Sequence, residues 1–224
     1  MWHTGGGGRL PEVGEEGFPV RQARAARTRQ ALVRAAAEEF DHRGYAGASL
    51  TRISRAAGVS MGALSFHFAS KQELAEAVRA EGEEITRAVV ERVSEDREPA
   101  LRAAVALTLT LVGLLEGDVR VRAAARLERE RAAGQPDNWT ALWAPALRER
   151  LRSLPGHELR GGADPAAVAT LCLLLVRGAE TSVREYARTS GAPQDVVGQL
   201  SQVWRLVLNG VGAAPDSGPG SAGS

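Results

Sequence analysis

Apolar residues recur with a helical period from residue 24 to residue 208, and nowhere do they alternate as a half-buried strand would. Over residues 24–43, Leu32, Val33, Ala36, Ala37 and Phe40 share one face, and Gly44 is placed to end the helix. Ser49 is positioned to cap a short second helix whose Leu50, Ile53 and Ala57 point inward. The run Ala57-Gly58-Val59-Ser60 reads as a tight turn, with Gly58 supplying a left-handed backbone and Ser60 capping a third short helix over residues 61–68. Ser70-Lys71-Gln72-Glu73 is a capping box. It opens a long fourth helix with Leu74, Val78, Ile85, Val89 and Val93 along one stripe. Five more helices are predicted over residues 99–115, 118–131, 138–154, 165–188 and 193–208, the fourth of them opened by Asp164 as cap and Pro165 at its first position. Leu171 to Val176 is apolar nearly all round, which predicts burial. The last helix carries Val196, Val197, Leu200, Val203, Trp204, Val207 and Leu208, a stripe wide enough for a core and a partner together. The fold class is all-α.

Composition adds the ends and the compartment. Residues 1–22 are Gly-rich, contain Pro11 and Pro19 and read as a flexible arm; residues 210–224 are of low complexity and read as a disordered tail. Cys172 is the single cysteine and lies in an apolar run, which excludes a disulfide framework and points to a reducing compartment. The N-terminal segment lacks the apolar core of a signal peptide. The longest apolar run, residues 166–176, is shorter than the roughly 18 residues that span a bilayer, so a soluble, cytoplasmic protein with no membrane partner is expected.

Charge is distributed unevenly. The net charge is only +1, yet residues 20–71 carry nine Lys or Arg against Glu38, Glu39 and Asp41, a local balance of +6. One basic segment on an otherwise mildly acidic chain fits a local DNA-binding module, although solvated basic helices are also common. Two short helices joined by a glycine turn and packed on a longer first helix form the unit that sets its second short helix in the major groove.

The residues within that unit carry a resemblance. Ile53-Ser54-Arg55-Ala56-Ala57-Gly58-Val59-Ser60, then Gly62-Ala63-Leu64, Phe66-His67-Phe68 and the Ser70-Lys71 pair with Leu74 closely resemble the tetracycline-repressor (TetR) family over residues 26–84. The resemblance implies a helix-turn-helix DNA-binding domain over residues 23–70, with its motif at 49–68, followed by a helical ligand-binding and dimerisation domain over 71–209. Leu50, Ile53, Ala57, Val59, Leu64, Phe66 and Phe68 are read as a small core. Gly62 and Ala63, being small, let the reading helix approach the DNA backbone. The exposed candidates for DNA contact are Ser49, Thr51, Arg52, Ser60, Met61, Ser65, His67 and Lys71. Ser49, Ser60 and Lys71 sit at helix starts, where amides favour a phosphate, and capping by the serines is compatible with that contact. Arg52 is equally read as a solvated helix charge, and His67 equally as structural. Many family members carry Lys at the position of Met61 and Tyr at that of Ser65, so fewer phosphate contacts are expected here. Arg21, Arg24, Arg27 and Arg29 are read either as compensating for that loss or as a solvated face.

The second half shows no nucleophile elbow, phosphate loop or metal-ligand spacing, so neither catalysis, a cofactor nor a metal is expected. Unusually apolar helices can enclose a pocket instead. Candidate walls are Leu107, Leu111, Leu114, Trp139, Leu142, Trp143 and Leu174, with polar handles at Thr108, Thr110, Glu180 or Thr181; each apolar wall residue can equally be plain core. A segment around Arg126 to Arg131, and Trp139 after the Pro136 loop, look like the gamma-butyrolactone-receptor branch of the same family. That resemblance implies a homodimer built on the last two helices and a repressor of antibiotic production released from operator DNA by a small effector, with Trp139 covering the ligand. The alternative within the family is a repressor of a drug-efflux pump responding to a lipophilic compound.

Overall fold

The computed structural model describes residues 17–95, 98–131, 138–154, 159, 164–189 and 195–210. Among these, every regular element is a helix: α1 (Gly17–Gly47), α2 (Leu50–Ala56), α3 (Met61–His67), α4 (Lys71–Glu95), α5 (Ala100–Gly117), α6 (Val119–Arg129), α7 (Asn138–Arg152), α8 (Pro165–Thr189) and α9 (Val196–Gly210). α1 starts at Gly17, so residues 17–22 of the segment read as an arm are helical, and Gly210, read as tail, ends α9. Residues 1–16 and 211–224, the remainder of the expected arm and tail, lie outside the described residues.

Local chemistry sets the boundaries. Gly44 breaks α1 with φ of +70°, and Gly58 turns between α2 and α3 with φ of +68°, both in the region that disfavours a Cβ. Ser60 caps α3, its Oγ accepting from the Ala63 N–H at 3.1 Å. At α4, the Glu73 N–H donates to Ser70 Oγ at 3.1 Å while the Glu73 carboxylate reaches back to the Ala69 N–H at 2.7 Å. Asp118 and Asp164 cap α6 and α8 by accepting from the N–H groups of Arg120 and Ala166, each at 2.9 Å. Ser49 departs from expectation. Its side chain caps nothing, and its own N–H donates instead to Glu39 Oε1 at 3.1 Å.

Two apolar cores form. The first gathers Leu32, Val33, Ala36, Phe40, Ile53, Leu64, Phe68, Leu74 and Val78 with Ala123 and Leu127 of α6. The second gathers Leu107, Leu111, Leu115, Trp139, Trp143, Leu147, Cys172, Val176, Leu200 and Trp204 with Val90 of α4 and Val121 and Ala125 of α6. Helices α4 and α6 therefore belong to both, and a boundary at residue 70 cuts through the first core rather than along its edge. α5 and α8 are long and apolar enough to cross a membrane by length and composition, with mean hydropathies of 1.6 and 1.5, more than the short apolar run at 166–176 implied. Here α5 packs into the second core through Ala103, Ala104, Leu107, Leu111, Val112 and Leu115. α8 is less covered than its composition predicts: Cys172 and Val176 are buried, but Leu174 is 63% exposed.

The join between the cores is tight. A Cβ built at Gly82 of α4 would lie 2.6 Å from both the Ala124 Cβ and the Arg120 carbonyl of α6. α6 also grips α1 and the end of α5 through polar groups: Arg122 Nε donates to Oδ2 of the buried Asp41 of α1 at 2.8 Å, and its Nη1 to the α5 carbonyls of Leu115 and Glu116, each at 2.9 Å. Arg126 donates to the Asp41 carbonyl and to Glu130 Oε1, while Glu130 Oε2 accepts from the Tyr45 N–H at 2.6 Å.

Alanine is the better helix former by about 1 kcal/mol, yet Gly82→Ala should destabilise the protein by about 1–3 kcal/mol because the backbone of α6 must retreat. Thermal melting checks this. An unchanged or raised Tm would mean that the α4–α6 contact yields freely.

Candidate nucleic-acid interface and effector core

The turn at Gly58 holds α3 with Leu64 and Phe68 facing the first core. The opposite face is open: Met61, Gly62, Ser65 and Phe66 are exposed, with Ala63 and His67 half-buried at its edges. Phe66 is 82% exposed and not core, contrary to the sequence reading. Helical phase explains the error, since two residues at about 100° each place Phe66 roughly opposite Leu64. Its ring meets the His67 ring edge-on, with centroids 5.3 Å apart. α3 carries no Asp, Glu, Lys or Arg. Gly62 leaves its surroundings open, the nearest atom to a Cβ there being Ser60 Oγ at 3.9 Å.

The remaining DNA candidates fall into two groups. Thr51 is exposed on α2, and Arg21, Arg24, Arg27 and Arg29 are exposed on α1, where the Arg29 guanidinium lies 5.0 Å from the centroid of the Phe68 ring. Arg52 and Lys71 are engaged within the fold. Arg52 Nε donates to Glu39 Oε1 at 2.7 Å, and its Nη2 to the Gly47 carbonyl at 2.6 Å. Burial would raise the Glu39 carboxyl, but the Arg52 hydrogen bond, the Ser49 N–H and the charges of Arg52 and Arg43 together hold it below its usual value. Lys71 Nζ donates to the Ala48 carbonyl at 3.0 Å and the Ala46 carbonyl at 3.5 Å, and stands 4.6 Å from the centroid of the Tyr45 ring. Both cations thus fasten the α1–α2 connection. A basic count from sequence could not show which arginines were already spent.

In the second core Trp139, Trp143, Leu107, Leu111 and Thr108 are all buried. Trp139 Nε1 donates to Thr86 Oγ1 at 3.0 Å, and Thr86 Oγ1 donates to the Gly82 carbonyl at 2.8 Å, so α7 is tied to α4 where α4 meets α6. Trp139 and Trp143 meet edge-to-face at 5.9 Å. Among the described residues, the indole N–H groups of Trp143 and of Trp204 are buried without an acceptor. Thr108 spends its hydroxyl on its own helix, donating to the Ala104 carbonyl at 2.7 Å. Burial pushes the neighbouring Cys172 thiol up, against the effect of its hydrogen bond with Thr108. Thr181 does not join this group: it is exposed and donates to the Arg177 carbonyl at 3.2 Å. Leu174 is likewise exposed, and Glu180 is paired with Arg129 at 2.9 Å. A void of about 20 Å³ lies beside Leu107, lined also by Val93, Ala104 and Leu147. Among the described residues, no group of three His, Cys, Asp or Glu is arranged to hold a metal ion. Sequence reasoning missed Thr86, a lone hydroxyl on a helix stripe that only the arrival of α7 makes important.

Residues 32–78, from the body of α1 into α4, match the model for bacterial regulatory proteins of the tetR family. The A-factor receptor protein of Streptomyces griseus is 31% identical over 190 residues, covering 84% of this chain and 65% of that protein, so the chain spans less than two thirds of this relative's length. A crystal structure of a gamma-butyrolactone receptor (ArpA-like protein) superposes with a TM-score of 0.62 at 27% identity, covering 84% of this chain and 89% of the other. The TetR family protein CprB from Streptomyces coelicolor, solved in complex with its biological operator sequence, gives a TM-score of 0.62 at 28% identity with the same coverage, 84% and 89%. With the recognition unit, the all-helical architecture and these likenesses in agreement, residues 32–78 match the tetR family of bacterial regulatory proteins, and the chain over most of its length is similar to the gamma-butyrolactone receptors.

Proposed function

We propose that the chain is a ligand-responsive transcriptional repressor in the cytoplasm, which binds a (pseudo)palindromic operator in double-stranded DNA as a homodimer. A small molecule of the gamma-butyrolactone kind releases it, placing antibiotic biosynthesis or secondary metabolism under its control. The observation that carries this reading is the shared membership of α4: Leu74 and Val78 lie in the core of the DNA-reading unit, and Val90 in the core that contains the tryptophans. Two reading heads must match a spacing of about one helical turn of DNA or a multiple of it. An effector that favours a different α4 position weakens operator binding by its differential affinity for the two states. The unpaired Trp143 N–H supports an effector carrying a hydrogen-bond acceptor, since a buried donor without a partner costs about 1–3 kcal/mol. Trp139 is then the link by which the effector core pulls on Thr86 of α4. The names of the relatives favour a lactone signal over an efflux substrate.

Selection of an operator from random DNA, followed by gel shifts with added gamma-butyrolactones, tests the reading directly. Trp139→Phe keeps the ring and removes the N–H donated to Thr86. It should cost about 0.5–1.5 kcal/mol in stability and leave operator affinity within a few-fold, while release demands more effector. Release at the wild-type effector concentration would exclude Trp139 as the link.

The dimer reading rests on Leu174 of α8 and on α9, where Val196, Leu200 and Trp204 face the chain's own core while Val203, Leu206 and Leu208 are 39%, 73% and 40% exposed. Val203→Glu with Leu206→Glu should halve the mass measured by light scattering. An unchanged dimer would place the interface elsewhere.

Lys71 commits N–H groups to two carbonyls and keeps one of its three donors for a phosphate. Lys71→Ala should weaken DNA binding about equally across sequences and reduce the salt slope by about 1. A changed sequence preference with the slope intact would assign it a different role.

A further inference from the structure

An aromatic ring left in water on the outward face of a reading helix makes no contribution to the fold. Phe66 is such a ring, 82% exposed, and it meets the ring of its neighbour His67. Met61, 41% exposed, stands at the other end of the same face. Between them lie Gly62 and Ser65, small enough to let a flat surface approach. The helix carries no Arg, Lys, Asn or Gln, the side chains that recognise guanine or adenine by paired hydrogen bonds. Elsewhere in the same unit Arg55 is exposed on α2, as are Arg21, Arg24 and Arg27 on α1. Those arginines suit the phosphates, while the face of α3 that would meet the groove floor presents Met61 and Phe66 with the small Gly62 and Ser65 between them and no Lys or Arg. On that floor the apolar group a base pair presents is the C5-methyl of thymine.

We infer that α3 reads its operator through thymine methyl groups, with Met61 and Phe66 as the reading side chains. The inference rests on the DNA-binding reading above and adds the chemistry of discrimination to it. Affinity comes from the arginine-bearing helices and varies with salt; preference comes from apolar burial on α3 and does not. A half-site read this way is marked by thymines facing α3 rather than by a guanine held in an arginine fork.

The test uses the full chain and the operator it selects from random DNA. Each thymine is replaced in turn by deoxyuridine, which removes the methyl and leaves the hydrogen-bonding edges unchanged. Wild-type protein should lose about fourfold in affinity at one or two thymines of each half-site, the value of one buried methyl group. At those same positions Phe66→Ala or Met61→Ala should bind the thymine and uracil duplexes alike, with the wild-type salt slope. Pairing each base change with each side-chain change isolates the contact from any effect of uracil on duplex shape. Phe66→Leu, which keeps an apolar contact, should retain part of the discrimination, and thermal melts confirm that these exposed substitutions leave the fold intact. A uracil scan without effect on the wild type would overturn the inference, as would uracil sensitivity that persists unchanged in both alanine variants. Failure to select any operator would overturn the DNA-binding reading itself.

Discussion

Helices α4 and α6 approach until there is no space for a methyl group at Gly82. This single contact determines much of the remainder. Because the two helices cannot separate without losing it, each transmits displacement to the other, and each is packed into both cores. Packed interfaces of this kind have discrete arrangements rather than continuous play. On the proposed reading, an effector acting in the second core reaches the first through these two shared helices. Thr86 lies one turn beyond Gly82 and bonds to its carbonyl, so the Trp139 N–H acts on α4 close to this tightest point.

The polar clasp between α1 and α6 has a different task. The Asp41–Arg122 pair is largely buried, and desolvation of the two charges offsets most of their attraction. What the pair supplies is direction. With the donation from Arg126 to the Asp41 carbonyl, α6 is held at one rotation against α1, while Arg122 also ties it to the Leu115 and Glu116 carbonyls at the end of α5. Apolar packing alone, spread over small alanines such as Ala123, would leave that rotation less determined.

Much of this was legible in the chain because it is local chemistry. Gly58, Ser60 and the Ser70–Glu73 box mark helix ends within a few residues of themselves, and the structure uses them as capping rules predict. What escaped were relations across distance. Glu39 takes both the Ser49 N–H and the Arg52 side chain, ten and thirteen residues away, so Arg52 is not a free cation, and the expected Ser49 side-chain cap is not made. Thr181 carries a suitable hydroxyl but faces outward. Phe66 was misplaced by weighing hydrophobicity above helical phase, and Leu174 by assuming that an apolar helix is covered by its own chain. The candidate site was thus readable as a region; the state of each side chain within it depended on which neighbours arrived.

Lys71 has a consequence of another kind. The sequence contains no other lysine, so this residue bears the chain's one side-chain amine. That amine spans the α1–α2 connection, resting on the carbonyls of Ala46 and Ala48 and beside the Tyr45 ring. Acylation there would discharge the ammonium and leave those groups facing a neutral amide. Among side chains, then, amine-directed chemistry is confined to a single position at the foot of the DNA-reading unit. An acyl label or cross-linker would report on the packing of that connection without interference from the arginine-rich remainder of the protein.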